Sequence, residues 1–403
     1  MASAQWSLPM PSLRLLPAPL LAVNLSAFFS LGLLQMVAMA TPMWGSHLGL
    51  SAALIGLAAG CRSISPFVYA IHIGSLLDIV GVRRLLIFFS LQCAVLPLLY
   101  PLLPANGPFL ILQVFLGLAS ATAWIASQTA IARTAGGDAR KTGWFSFFAS
   151  AGTVIGPLAL GLIWSWLGPN SGYYLMAAWG GAMFAVSLTI PARKDIVRPK
   201  LRFGHFIPRF RIYALAIASL KRPVMAFVMA CTFIRLGGVG MVESFFPVLV
   251  QERGLSAATV GILFAIGNFA GSPSSLLANR WVLICGSARM ALILSVAVST
   301  ACLVAVPFLS QVWLLTVAMA GYGFGVGISM PVIFALLSQD VAPEQQGMTA
   351  GIRTTANRLA AFVVPVAVGL LAEFAGVSTA FWMAGLVLLV ALFGIAATVG
   401  RRI

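Results

Sequence analysis

Apolar residues in this chain do not alternate with polar ones. They run in long blocks, and the polar residues collect in the gaps between the blocks. A helix needs about 20 residues to cross about 30 Å of hydrocarbon. Twelve blocks come close to or exceed that length: about 19–44, 52–77, 85–103, 108–132, 142–167, 172–191, 223–250, 257–278, 288–309, 311–338, 347–374 and 377–400. A β-barrel would show short segments of alternating polarity, and these runs are too long and too uniform for that. Glycine and proline recur inside them without arguing against helix, because neighbouring helices satisfy freed backbone groups in lipid. The pattern predicts an all-α integral membrane protein with twelve transmembrane helices.

Composition agrees. The chain is 61% hydrophobic and 8% charged, whereas a soluble domain carries about 25% charged residues. Too few polar side chains remain to cover a water-facing surface. Residues 1–18 hold one arginine and several prolines, with no clear cleavage site, and are read as a short cytoplasmic tail rather than a signal peptide.

The formal charge of +16 is concentrated in alternate loops. Arg83 and Arg84 follow the second run, Arg133, Arg140 and Lys141 the fourth, and Arg280 and Arg289 the eighth. Nine Lys or Arg residues lie between Arg193 and Arg222, and Arg401 and Arg402 lie at the end. The opposite loops hold little that is basic except Arg253. This is the positive-inside asymmetry, which places both termini in the cytoplasm. The excess charge thus reads as topology and contact with anionic lipid, not as a nucleic-acid surface. Cys61, Cys93, Cys231, Cys285 and Cys302 show no ligand spacing and read as inert thiols; no metal or cofactor is expected. Three scattered histidines, with no acid pair near them, argue against a membrane enzyme. The absence of a G-x-x-x-x-G-K-[ST] loop argues against an ATP-driven pump.

The longest polar stretch divides the chain into six runs and six. This gives a tail 1–18, a first half 19–191, a linker 192–222, a second half 223–400 and a tail 401–403. The halves echo each other. "GLSAALIG" at Gly49–Gly56 returns as "GLSAATVG" at Gly254–Gly261, an offset of 205. "GPLALG" at Gly156–Gly161 returns as "VPVAVG" at Val364–Gly369, an offset of 208, and Gly143 matches Gly351 at the same offset. In the first echo the glycine suits a tight turn, and the serine suits the cap of the incoming helix. Two landmarks in the same order indicate internal duplication, hence two pseudo-symmetric six-helix halves with a solute path between them.

"GSLLDIVGVRRLL", Gly74–Leu86, matches the loop motif G-x-x-x-D-x-x-G-x-R-R/K at every constrained position. On these residues the chain resembles the major facilitator superfamily. Gly74 allows close helix approach, Gly81 a sharp turn, and Asp78 can face the positive N-terminus of a helix in the other half. Arg83 and Arg84 suit the anionic leaflet. The resemblance implies that Asp78 latches the halves in one conformation. "GTVIGPLALG" is similar to the family's helix 5 signature, typical of exporters that exchange a drug-like solute for a proton. Gly152 and Gly156 form a close-packing G-x-x-x-G face, Pro157 bends the helix, and Gly161 completes the motif. Two departures weaken the proton-exchange reading. Gln113 stands where many such exporters carry an arginine, and the first run has no acid.

Ionisable groups within a span are costly and point to function. Arg62, Arg235 and Arg358 each lie at least ten residues into a run, and Glu243 is the acid away from the span ends. Each arginine reads either as solute contact or as a structural partner of helix ends. Glu243 reads as a proton carrier or as an exposed group near the periplasmic end. The resemblance implies that helices 1, 4, 7 and 10 line the path, which brings Asn24, Gln35, Gln113, Trp124, Gln128 and Tyr322 to it beside Arg235. Gly237, Gly238 and Gly240 are expected to interrupt helix 7 as a hinge or to let backbones touch. "PRFRIYALAIASLKR", 208–222, reads as a surface helix or a flexible linker. Three deep cations against one acid favour an anionic solute. The expected function is a secondary active transporter with alternating access, performing proton-coupled efflux of an amphipathic or anionic compound. The alternatives are an importer or facilitator of an organic anion, or a transporter-like receptor. The expected setting is a monomer in a bacterial inner membrane.

Overall fold

A computed structural model describes residues 17–136, 138–191, 223–340 and 346–398, and their side chains apart from those of 70–72, 74, 75, 78, 338–340 and 346–355. The tails, the linker and the expected surface helix at 208–222 lie outside the described residues. Those described form α1 Ala18–His47, α2 Ala52–Ile79, α3 Val82–Leu102, α4 Asn106–Ala135, α5 Ala139–Leu167 and α6 Pro169–Thr189, then α7 Pro223–Ser244, α8 Phe246–Glu252, α9 Ala257–Ser274, α10 Ala278–Cys285, α11 Ala288–Ala305, α12 Val312–Asp340, α13 Gln346–Ala375 and α14 Val377–Thr398. No strand occurs among them.

Two pairs of these helices are single spans broken in the middle. α7 and α8 part at Phe245, because Pro247 has no N–H to give the carbonyl of Glu243. α9 passes through a 3₁₀ turn, Ser275–Leu277, just after Pro273 and continues as α10. The eighth span therefore reaches Cys285, beyond its expected end. The expected interruption at Gly237–Gly240 is corrected: α7 is continuous there. Those glycines are filled against by side chains, Gly237 by Leu388 and Val364, and Gly238 by Leu303. Among the described residues, eleven helices are long and apolar enough to cross a membrane. The sixth span, α6, is not among them.

The halves repeat one packing scheme. α1 packs on α5, α2 on α4, and α3 on α4 and α6 in the first half. α7 on α13, α9 on α12, and α11 on α12 and α14 are the same pairs in the second. Between halves the dominant contacts are α2 with α13 and α5 with α9. The end bearing the loops 48–51 and 253–256 is called distal, and the end bearing the loops 80–81 and 136–138 terminal.

The sequence echoes meet at these two seams, each pairing with the other motif of the opposite half. A Cβ on Gly56 would stand 2.4 Å from the Pro365 carbonyl oxygen, and one on Gly369 2.7 Å from that of Ala52. Across the fold, a Cβ on Gly261 would stand 2.5 Å from the Pro157 oxygen, and one on Gly161 2.5 Å from that of Ala257. The backbones touch, so only glycine fits. The repeated loops behave as their residues predict. Gly49 and Gly254 adopt φ of 68° and 74°. Ser51 accepts from Leu54 N–H and Ser256 from Thr259 N–H.

Arg253, the lone basic residue of the distal loops in the sequence, has a structural task. Its guanidinium donates to the carbonyls of Leu309, Val306 (3.2 Å) and Pro307 (2.6 Å), closing the C-terminal end of α11. Burial favours neutral forms for both Arg253 and its neighbour, depressing the Arg253 guanidinium and raising the Glu252 carboxyl, and the charges of the two partly offset this. Hydrogen bonds to a charged donor contribute about 1.5–3 kcal/mol. Arg253→Ala should therefore lower the melting temperature in detergent by several degrees with no change in solute affinity. A melting curve on the purified variant checks this.

Candidate functional site

The deep ionisable groups converge between the halves. Arg62, on α2, donates from Nη2 to Glu243 Oε2 on α7, so the ion pair bridges the first half to the second. Its side chains are 11% and 14% exposed. Glu243 is paired with Arg62 rather than with Arg235 on its own helix. Eight residues at about 100° each leave the two about 80° apart around the helix, and Arg235 is held by Ser329 and Val326 instead. Glu243 attracts Arg358 on α13, while Arg62 repels it. Arg358 thus belongs to the same charge cluster, and Arg62 Nη1 has no hydrogen-bond partner among the described residues.

Beside the pair lies a cavity of about 460 Å³ between α1 and α5 on one side and α7, α9 and α12 on the other. Gln35, Arg235, Glu243, Asn268 and Tyr322 supply its polar wall, and residues such as Val239, Phe264 and Met319 its apolar one. Arg235 is anchored: its Nε donates to Ser329 Oγ at 2.7 Å and its Nη2 to the Val326 carbonyl at 3.3 Å, both on α12. Both Glu243 and Arg235 act electrostatically on the Tyr322 phenol. The site therefore offers a fixed guanidinium, a phenol and amides around a partly apolar hollow, a combination suited to a small solute with one anionic end.

Other candidates lie elsewhere. Gln113 is 1% exposed and accepts from Thr41 Oγ1 at 3.1 Å, tying α4 to α1. Trp124 stacks on Phe145 at 5.8 Å, and Gln128 is exposed. None of the three lines the cavity. Asn24 is fully buried on α1 and its amide has no partner.

Sequence reasoning missed Asn268, Ser150 and Thr153, which line the cavity from the seam helices α9 and α5. Asn268 Nδ2 donates to the Thr153 carbonyl at 3.0 Å across the seam. A single amide in the apolar run of α9 was the available signal.

The helix 5 glycines pack as their spacing predicts. Gly152 meets the Phe28 carbonyl and Gly156 that of Gly32, both on α1, while Pro157 and Gly161 face α9. In the loop motif, Gly81 has φ 97° and begins α3, and Arg84 is exposed. Arg83 Nη2 donates to the Leu188 carbonyl at 2.8 Å, fastening α3 to the end of α6. Gly74 and Asp78 fall within the final two turns of α2, and their surroundings lie outside the described residues.

A family model described as Major Facilitator Superfamily matches residues 23–231 and 228–402, one stretch for each half. The fold is similar to the crystal structure of nucleoside transporter NupG, with 14% identity and a TM-score of 0.77, covering 94% of this chain and 98% of that one. It is also similar to a bacterial homologue of the human lysosomal transporter Spinster in an inward-facing, occupied conformation, with 14% identity and a TM-score of 0.71, covering 95% of this chain and 96% of that one.

Proposed function

This chain belongs to the Major Facilitator Superfamily and is a multi-pass membrane transporter rather than an enzyme; from that premise we propose that it moves a small organic anion by alternating access, as a proton-coupled exporter. The carrying observation is the cavity between the halves, with Arg235 fixed in its wall and the Arg62–Glu243 pair across its edge. Arginine keeps its proton under ordinary conditions, so the Arg235 guanidinium held in the cavity wall stays a cation that a solute anion can pair with. Glu243 is the proton carrier in this reading. Protonation removes its charge, releases Arg62, and thereby weakens a link between the halves. The exporter direction rests on the helix 5 signature at Gly152–Gly161. The absence of an acid in α1 and the burial of Gln113 favour a second reading, an importer or facilitator of the same anion. The basic residues Arg83, Arg84, Arg133, Arg140, Lys141, Arg280 and Arg289 all fall at the terminal end, which supports cytoplasmic termini, in a bacterial inner membrane.

Purified protein in liposomes tests the proposal. Organic anions, cations and nucleosides are offered with and without a pH gradient. Anion flux that follows the gradient is expected; flux of cations alone would overturn the anion reading, and binding without flux would identify a receptor. Arg235→Lys should weaken binding of the transported anion about tenfold, the 1.4 kcal/mol of one strong polar contact, because lysine cannot reproduce a bidentate guanidinium. Equilibrium binding to the purified variant measures it.

A further inference from the structure

We infer that Ser165 and Glu373 are positioning residues for transport: each caps, from the opposite half, the helix N-terminus that closes the distal end. The first turn of a helix has backbone N–H groups with no intrahelical partner. At α2 and α9 these groups are shared between two sources. Each helix's own loop serves one N–H: Ser51 accepts from Leu54, and Ser256 from Thr259. The other half serves the preceding N–H. Ala53 N–H donates to Glu373 Oε2 at 3.1 Å, and Ala258 N–H to Ser165 Oγ at 2.7 Å. The donors are 205 positions apart and the acceptors 208, the offsets of the two sequence echoes. The duplicated chain has therefore kept one device twice, a trans cap on the second helix of each half, supplied near the end of the fifth helix of the other.

The two caps are not chemically equal. Ser165 offers a neutral hydroxyl. Glu373 offers a carboxylate at a helix N-terminus, where a charge-assisted bond and the helix dipole add to each other. Separating the halves at the distal end breaks both bonds and leaves both N–H groups to water. The caps therefore favour the arrangement described here, in which the halves touch at the distal end, and on this inference the charged Glu373 cap is the stronger of the two.

The inference rests on the alternating-access reading, and the test separates the two. Spin labels are placed at Ala105 and Ser310 through a ketone-bearing amino acid, which leaves the native cysteines alone. These distal loops belong to opposite halves and are exposed. Pulsed EPR in liposomes without solute reads the distance distribution. Glu373→Ala should raise the distal-open to distal-closed ratio about tenfold, and Ser165→Ala about threefold. Glu373→Gln, which keeps an acceptor but no charge, should fall between wild type and Glu373→Ala. The exchanged pair Ser165→Glu with Glu373→Ser should return close to the wild-type distribution, which a merely disruptive pair of changes would not do. Unchanged distributions in Glu373→Ala and Ser165→Ala, in protein with wild-type melting, would overturn the inference. Wild-type protein with a responsive distal distance but no flux of any solute would instead sink the transport reading while leaving the caps in place.

Discussion

Replacing Glu243 by alanine should destabilise the protein and, if transport is proton-coupled as proposed, end the response of flux to a pH gradient. The variant leaves Arg62 without its partner at a site where the two side chains are 11% and 14% exposed, and it removes the carboxylate that attracts Arg358. Breaking a buried pair from one side costs about 3–5 kcal/mol. The neighbouring cavity admits solvent to soften this, so a loss near the lower end, about 3 kcal/mol, is expected. Removing both partners should be far milder. Arg62→Met with Glu243→Leu is therefore expected to melt close to wild type in detergent, while remaining insensitive to the pH gradient. Glu243→Gln keeps the shape and a hydrogen-bond acceptor, and should bind solute normally while losing the gradient response. Uptake at several gradients, beside melting curves for the four proteins, checks all of these. A Glu243→Gln variant that still follows the gradient would remove Glu243 from the coupling.

A leucine at Gly161 should abolish transport by preventing the distal end from closing. Its first side-chain carbon alone would sit 2.5 Å from the Ala257 carbonyl oxygen, and backbone on both sides of the contact has no room to yield. Overpacking typically costs about 1–3 kcal/mol where side chains can shift; here two helices must part. Gly369→Leu meets Ala52 in the same way at the twin seam and should behave alike. Gly143, with nothing within 4 Å of a Cβ, is the control, and Gly143→Leu should transport normally. Flux at matched expression distinguishes them. Normal flux in Gly161→Leu would mean that the seam is looser than its backbone contact implies.

Much of this fold was legible in the chain because lipid imposes a simple rule: a run of apolar residues must be a helix. The six-plus-six division was legible because duplication left its turn and capping residues unchanged in kind. The break in the seventh span was misplaced for a physical reason. Gly237, Gly238 and Gly240 weaken a helix in isolation, but Leu388, Val364 and Leu303 fill the space they leave. Pro247, which removes a donor outright, decides where the helix parts. The charged site was half legible. Arg62, Arg235 and Glu243 were conspicuous by their cost in a span, but their partners were not. Helical periodicity reports the face of one helix and says nothing of which helix lies opposite. For the same reason Gln113 looked like a path residue and turned out to be held by Thr41 between α1 and α4. Asn268 and Thr153 were overlooked because the resemblance points to helices 1, 4, 7 and 10 for the path, whereas the seam helices α5 and α9 also wall the cavity.

The two seams also fix how the halves can move. Two of their contacts are Asn268 on the Thr153 carbonyl at one seam, and Gly60 against Phe362 at the other. A line through one contact on each seam is the axis about which rotation of one half disturbs those two contacts least. The distal contacts at Gly56 and Gly261 lie on one side of the line and the basic terminal loops on the other. Such a linkage works as a rocker: any angle opened at one end is subtracted from the other. On the proposed alternating-access reading, such a rotation would expose a solute in the cavity to one side of the membrane at a time.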